Sequence, residues 1–163
     1  MRKKIIALGV LSFVIIITIG YFSVPISYKS VISHSTKIER IYFSYLNGGP
    51  TNYYLIEFDD KNADLQSIMS IFDSVTYRKS FGNKNIKNNG KSFMMTVIYR
   101  VRNGESNNYD LDINEKGFVV SDKKKYKVVD EEQEFFLQLS TWLLEKGIEQ
   151  PIYRIGEGII NTP

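Results

Sequence analysis

The stretch FMMTVIYRVRNGESNNYDLDIN, Phe93 to Asn114, decides the fold class. Phe93, Met95, Val97, Tyr99 and Val101 occupy every second position, and in an extended chain alternate side chains share one face. Asn103-Gly104 then supplies the positive backbone dihedrals of a tight turn, and Tyr109 to Asn114 runs back beside the first segment. An antiparallel hairpin with one apolar face has to bury that face against something else, so the rest of the chain is read for what covers it.

Upstream, Ile38 to Tyr45 alternates, with Ile41, Phe43 and Tyr45 opposite Arg40, Tyr42 and Ser44. Asn47-Gly48-Gly49-Pro50 breaks this run, and Tyr53 to Phe58 completes a second hairpin. Leu65, Ile68, Met69, Phe72 and Val75 then follow helical spacing, with Asn62 or Asp64 as N-cap. A short strand is predicted over Val75 to Phe81, and a loop over the Asn/Lys-rich segment from Gly82 to Gly90.

Downstream, Phe118 to Ser121 and Lys125 to Val129 form a third hairpin around Asp122 and Lys123. Asp130 and Gln133 have capping-box spacing ahead of a helix carrying Phe135, Phe136, Leu139, Trp142 and Leu143, which Gly147 ends. A last short strand is expected around Ile152 to Ile155. The expectation is an α+β domain, a mainly antiparallel sheet with two amphipathic helices packed on it, preceded by one N-terminal transmembrane helix.

Shifting the sequence by 56 residues aligns Asn47-Gly48 with Asn103-Gly104, Asn52-Tyr53 with Asn108-Tyr109, and Leu55 with Leu111. Each hairpin is followed later by a helix and then by a Tyr-Arg pair, Tyr77-Arg78 and Tyr153-Arg154. This pattern suits a hairpin-helix-strand duplication, although Asn-Gly hairpins resemble one another generically.

The membrane expectation rests on IIALGVLSFVIIITIGYF, Ile5 to Phe22, 18 residues without a charge after the basic Arg2, Lys3 and Lys4. Such a helix is about 27 Å long, close to the hydrocarbon thickness of a bilayer. Tyr21 and Phe22 suit the membrane interface and Pro25 stops the helix, while the leading cations keep the N-terminus cytoplasmic and export the C-terminal remainder of the chain. No convincing small-residue cleavage pattern follows the apolar run, which favours an uncleaved signal anchor over a secretory peptide. The expected organisation is an anchor over 1–22, a tether over 23–36 and an extracytoplasmic domain over 37–163.

The net charge of +3 equals the three cations of the leader, and beyond it 18 basic residues balance 18 acidic ones. A nucleic-acid footprint is therefore not expected. Seven basic residues from Arg78 to Arg102 nevertheless run without an acid, so Arg78, Lys79, Arg100 and Arg102 are candidate ligand contacts, against the plainer reading of solvated loops. Tyr42, Tyr54 and Tyr109 are candidates for an exposed aromatic row suited to sugar or peptide, against a role in the core or in cross-strand pairs.

Catalytic chemistry finds little support. The absence of cysteine removes disulfides, thiolate nucleophiles and a lipid-bearing cysteine. His34 is the only histidine and falls in the predicted tether, a poor place for a catalytic base and too little for zinc. Asp110-x-Asp112-x-Asn114 resembles the start of a calcium loop but has Glu115 where glycine is needed and Ser121 at the twelfth position. Asp59, Asp60 and Asp64 read as turn and helix N-terminus. No catalytic residue, metal or cofactor is assigned.

The MRKK start with its single apolar helix, and the hairpin-helix pattern ending in DEEQEFFLQLSTWLLEKG, give the chain an architectural resemblance. It resembles uncharacterised small membrane-anchored extracytoplasmic proteins of AT-rich Gram-positive bacteria. That resemblance implies a single-pass cell-membrane protein and carries no site residues.

The leading expectation is a membrane-anchored extracytoplasmic binding or interaction module with a protein, peptide or cell-wall partner. A cell-envelope hydrolase or inhibitor, using carboxylates among Glu57, Asp110 and Asp112, is the alternative. A secreted effector or immunity-type protein is a third reading, conditional on leader cleavage.

Overall fold

The computed structural model describes residues 2–59, 63–87 and 90–151, with side chains from Val10 onward. Helices α1 (Arg2–Ser23) and α2 (Tyr28–Val31) precede strands β1 (Ile38–Leu46) and β2 (Tyr53–Glu57). Helix α3 (Ala63–Asp73) leads to β3 (Thr76–Lys79), β4 (Ser92–Arg100), β5 (Ser106–Asn114), β6 (Phe118–Ser121) and β7 (Lys124–Val129). Helix α4 (Glu132–Lys146) and β8 (Ile148–Gln150) complete the described chain. The protein is α+β, built on an eight-stranded antiparallel sheet in the order β3-β7-β6-β5-β4-β1-β2-β8.

Alternation decides which face is covered. Ile41 and Phe43 of β1, Phe93, Met95 and Val97 of β4, and Leu111 and Ile113 of β5 are buried on one side. Ile38 joins them despite its odd spacing from Ile41, because a register shift between Ile38 and Arg40 inserts a bulge that turns its side chain inward.

Helices α3 and α4 lie antiparallel over this face. Asp64 meets Lys146 at 2.9 Å at one end, Trp142 Nε1 donates to Ser67 Oγ at 3.0 Å, and the Phe72 and Phe135 rings meet edge-on at 5.8 Å at the other end. Their buried stripes, Leu65, Ile68, Met69 and Phe72 on α3 and Phe135, Phe136, Leu139, Trp142 and Leu143 on α4, are those the periodicity marks.

The two Asn-Gly hairpins adjoin through their first strands, giving β2-β1-β4-β5, with Ile41 opposite Val97, 56 residues away. The strand after each helix crosses to the other hairpin's side: β3 lies beyond β5, β6 and β7, and β8 lies against β2. The two hairpins thus lie side by side in the sheet, joined through β1 and β4. Tyr153-Arg154 and the expected strand over 152–155 lie outside the described residues, as do Asp60 and Asn62; β8 is a strand the pattern did not mark.

Two expectations need correction. Residues 23–36 are no solvated tether: Val31 and Ile32 are each 1% exposed, and Ile26 pairs with Tyr77 through two backbone hydrogen bonds. Its five serines disguise the segment, yet its apolar residues complete the core beside β3. The capping box does not form, because Asp130 and Glu131 both take left-handed conformations (φ 64° and 52°) and α4 starts at Glu132 without a side-chain cap.

The N-terminal transmembrane helix of the expected organisation is not shown. Among the described residues no helix is long and apolar enough to cross a membrane. α1 covers the expected segment, but its described side chains start at Val10.

One glycine is fixed by packing. Gly117, between β5 and β6, has φ 70°, and a Cβ there would lie 2.6 Å from Glu132 Cβ and 3.3 Å from Val128 Cβ. Gly117→Ala should cost about 2–4 kcal/mol, adding backbone strain to overpacking against the first turn of α4. Urea unfolding followed by the fluorescence of Trp142, the single tryptophan, measures it.

Candidate functional site

The helices cover one face of the sheet, and the strand alternation that buries that face sends a second set of side chains to the other. Tyr42 on β1, Thr96 on β4 and Asp110 on β5 form one cross-strand row, and Ser44, Met94 and Asp112 form the next, with Tyr53 of β2 beside Ser44. Tyr42 is 40% exposed and Tyr53 50% exposed, and the rows enclose a shallow hollow of about 260 Å³ with Lys87 at its rim.

Thr96 Oγ1 donates weakly to Asp110 Oδ1 at 3.5 Å. Asp112 is half-buried, and burial pushes its carboxyl above the ordinary carboxylate range, opposed by Lys87 and reinforced by Asp110. A raised folded-state pKa means a penalty that is absent below the unfolded pKa, where both states are protonated, and complete above the folded pKa. Asp112→Asn should therefore raise the melting temperature at pH 7 and give no gain near pH 3, a contrast that scanning calorimetry at the two pH values reads.

The Phe93–Arg102 face leads to a second feature, a cleft of about 870 Å³ where the ends of β1, β2 and β4 meet. Its charges pair internally. Glu39 accepts from Ser106 Oγ at 2.9 Å and pairs with Arg100, and Arg40 pairs with Glu57 at 3.6 Å. The Ser106 hydrogen bond foremost, then Arg100, holds the Glu39 carboxyl below the usual range. Arg102 and Asp59 line the same cleft.

The candidates taken from the sequence thus separate. Arg78 and Lys79 sit on β3 at one sheet edge, while Arg100 ends β4, four strand spacings or roughly 19 Å away, and Arg102 lies in the turn after it. Tyr42 reaches the open face. Tyr54 points to the core and stacks on Phe43 at 4.9 Å. Tyr109 is 8% exposed and donates its hydroxyl to Ser33 O at 3.0 Å, so its ring belongs to the core, and the same burial raises its pKa. Tyr53 takes the place expected of Tyr54, a parity that the alternation Tyr53, Leu55, Glu57 against Tyr54, Ile56 carries.

Glu57 is three strand spacings from Asp110 and Asp112, roughly 14 Å. That exceeds the separation of about 5–9.5 Å that paired glycosidase carboxylates require. His34 is exposed and stacks on Tyr99 at 4.0 Å, its φ of 56° set by the turn before β1. Among the described residues no group of three His, Cys, Asp or Glu side chains is placed to hold a metal ion.

Sequence reading also passed over a cluster that only folding assembles. Lys79 and Lys84 line one depression with Lys123 of the β6-β7 turn and Lys124 and Lys125 of β7, beside the end of α1. Compared with known proteins, the chain matches no family model, no curated protein and no solved structure.

Proposed function

We propose that the chain is a membrane-anchored extracytoplasmic binding module, in which α1 spans the membrane from a cytoplasmic N-terminus and the uncovered sheet face receives a cell-wall or peptide partner. The observation that carries the binding reading is the pair of exposed tyrosines, Tyr42 and Tyr53, set among Thr96, Asp110, Asp112 and Lys87 on that face. Exposed aromatics flanked by polar groups supply stacking area with orienting hydrogen bonds, the combination that favours sugar rings and peptide planes. The anchor reading is supported by the described part of α1, where Leu11, Phe13, Val14, Ile16, Ile17 and Ile19 are all more than half exposed. Apolar side chains without a protein neighbour call for a lipid one.

Isolated cell-wall sacculi are the probe for the binding face. The full chain in detergent micelles should co-sediment with them, and the Tyr42→Ala/Tyr53→Ala double variant should lose at least about tenfold in affinity, the loss of one aromatic hot spot. Equal sedimentation of the two proteins, or none by either, removes the cell-wall reading.

One observation favours a second reading, an envelope hydrolase. Asp110 and Asp112 are two residues apart on the same face, roughly 7 Å, with the Asp112 carboxyl raised. Cleavage of sacculi that disappears in Asp112→Asn would support it, and cleavage that survives both alanine substitutions would eliminate this pair.

A further inference from the structure

The join between α1 and the sheet is short and basic. α1 ends at Ser23, and Ile26 already donates to Tyr77 O at 2.8 Å, which leaves Val24 and Pro25 between helix and sheet. An anchor joined this closely cannot hold the domain far from the membrane surface.

Beside the end of α1 lies a depression of about 860 Å³. Tyr21, Phe22 and Phe81 form its aromatic wall: the Phe22 and Phe81 rings pack at 3.6 Å, Phe81 is 69% exposed and Tyr21 55% exposed. Lys79 Nζ sits 3.5 Å from the centre of the Tyr21 ring. Lys84, Lys123, Lys124 and Lys125 bring the lining to five lysines, and no carboxylate shares it among the described residues. Asp122 lies in the adjoining turn, and Lys125 also donates to Asn83 O at 2.9 Å.

We propose that this lysine and aromatic face rests on anionic lipid headgroups, seating the domain on the membrane by its β3 edge. The inference rests on the anchored reading of α1. The observations agree on one occupant: aromatic rings favour the headgroup level, and lysines within a Debye length of an anionic leaflet are drawn to it. The five lysines come from two separate segments, 79–84 and 123–125, that only the β3-β7 pairing brings together. The seat also orients the module. The β8 edge lies seven strand spacings from β3, roughly 34 Å, and points away from the surface.

The chain has no cysteine, so single-cysteine variants report position cleanly. Ser80→Cys beside the lysines and Glu149→Cys on β8 are each labelled with a fluorophore. The full chain is reconstituted into phosphatidylglycerol-rich or pure phosphatidylcholine vesicles containing headgroup-attached spin label. The expected result is several-fold stronger quenching at position 80 than at 149 in the anionic vesicles. That contrast should shrink in phosphatidylcholine and in the Lys79→Gln/Lys84→Gln/Lys123→Gln/Lys124→Gln variant. Quenching at position 80 that ignores both changes reflects the short linker alone and overturns headgroup recognition. Equal, weak quenching at both positions in a chain that floats with vesicles overturns the seating and leaves the anchor standing. A chain that fails to float with either vesicle overturns both.

Discussion

Tyr77→Ala is expected to lower the stability of the folded domain by about 3–5 kcal/mol, the range for emptying a large aromatic site in a packed core. Tyr77 is completely buried, its ring meets Phe135 edge-on, and its hydroxyl donates to Phe72 O at 2.9 Å, satisfying a carbonyl of the last turn of α3. Its backbone pairs on one side with Val128 and on the other with Ile26. One residue thus ties α3, α4, β7 and the segment after α1 together, and its loss should also loosen the α2 backbone enough for trypsin to cut at the already exposed Lys29 in the native state.

Tyr77→Phe separates the terms: it keeps the ring and strands the carbonyl, at about 1–2 kcal/mol. Burial raises the Tyr77 phenol pKa, and Tyr109 behaves likewise. Their neutral forms contribute stability that is full below the ordinary tyrosine pKa near 10 and lost as pH rises further. Wild-type unfolding midpoints should therefore fall steeply above that pH, and less steeply in Tyr77→Phe, as Trp142 fluorescence in urea series at pH 8 and pH 11 would report.

The elements that could be read from the chain are those whose local pattern and tertiary environment agree. The Phe93–Asn114 hairpin declares itself because every second residue is buried and the turn carries Gly104 at φ 87°. α4 does so because five large apolar side chains share one stripe. Where local and tertiary demands differ, the pattern misleads. Val31 and Ile32 look isolated among polar residues, and only contact with β3 and its neighbours buries them. Asp130 and Gln133 have the spacing of a capping box, but the chain leaves β7 through two left-handed residues that move the helix start.

The same division holds for the surface. The basic run from Arg78 to Arg102 is contiguous in sequence yet is distributed over the β3 edge, the loop beside Asp112 and the Glu39 cleft. The five lysines that do gather come from segments roughly 40 residues apart, a distance no local pattern spans. Tyr42 could be placed by alternation alone, whereas choosing Tyr53 over Tyr54 required the parity of a five-residue strand, and Tyr109 needed the knowledge that its face is the covered one.

The second large effect concerns α1. On the anchored reading, Ile15→Lys/Ile16→Lys places two charges at the centre of the span, each costing about 2.5–3.5 kcal/mol of insertion free energy, so about 5–7 kcal/mol together. The chain should move from the carbonate-washed membrane fraction to the soluble one, whereas Leu137→Lys, an equally exposed apolar site on α4, should leave it in the membrane. The fold should survive the double change, because α1 meets the domain through Tyr21 and Phe22 near its C-terminal end. The variant also separates two modes of membrane attachment. The lysine face beside β3 is a charge contact that high salt disrupts, and an apolar span is not. If Ile15→Lys/Ile16→Lys stays with anionic vesicles at low salt and leaves at high salt, the seat works without the anchor. If the wild-type chain itself leaves at high salt, α1 is no span, because 18 uncharged residues inside a bilayer have no electrostatic attachment for salt to weaken.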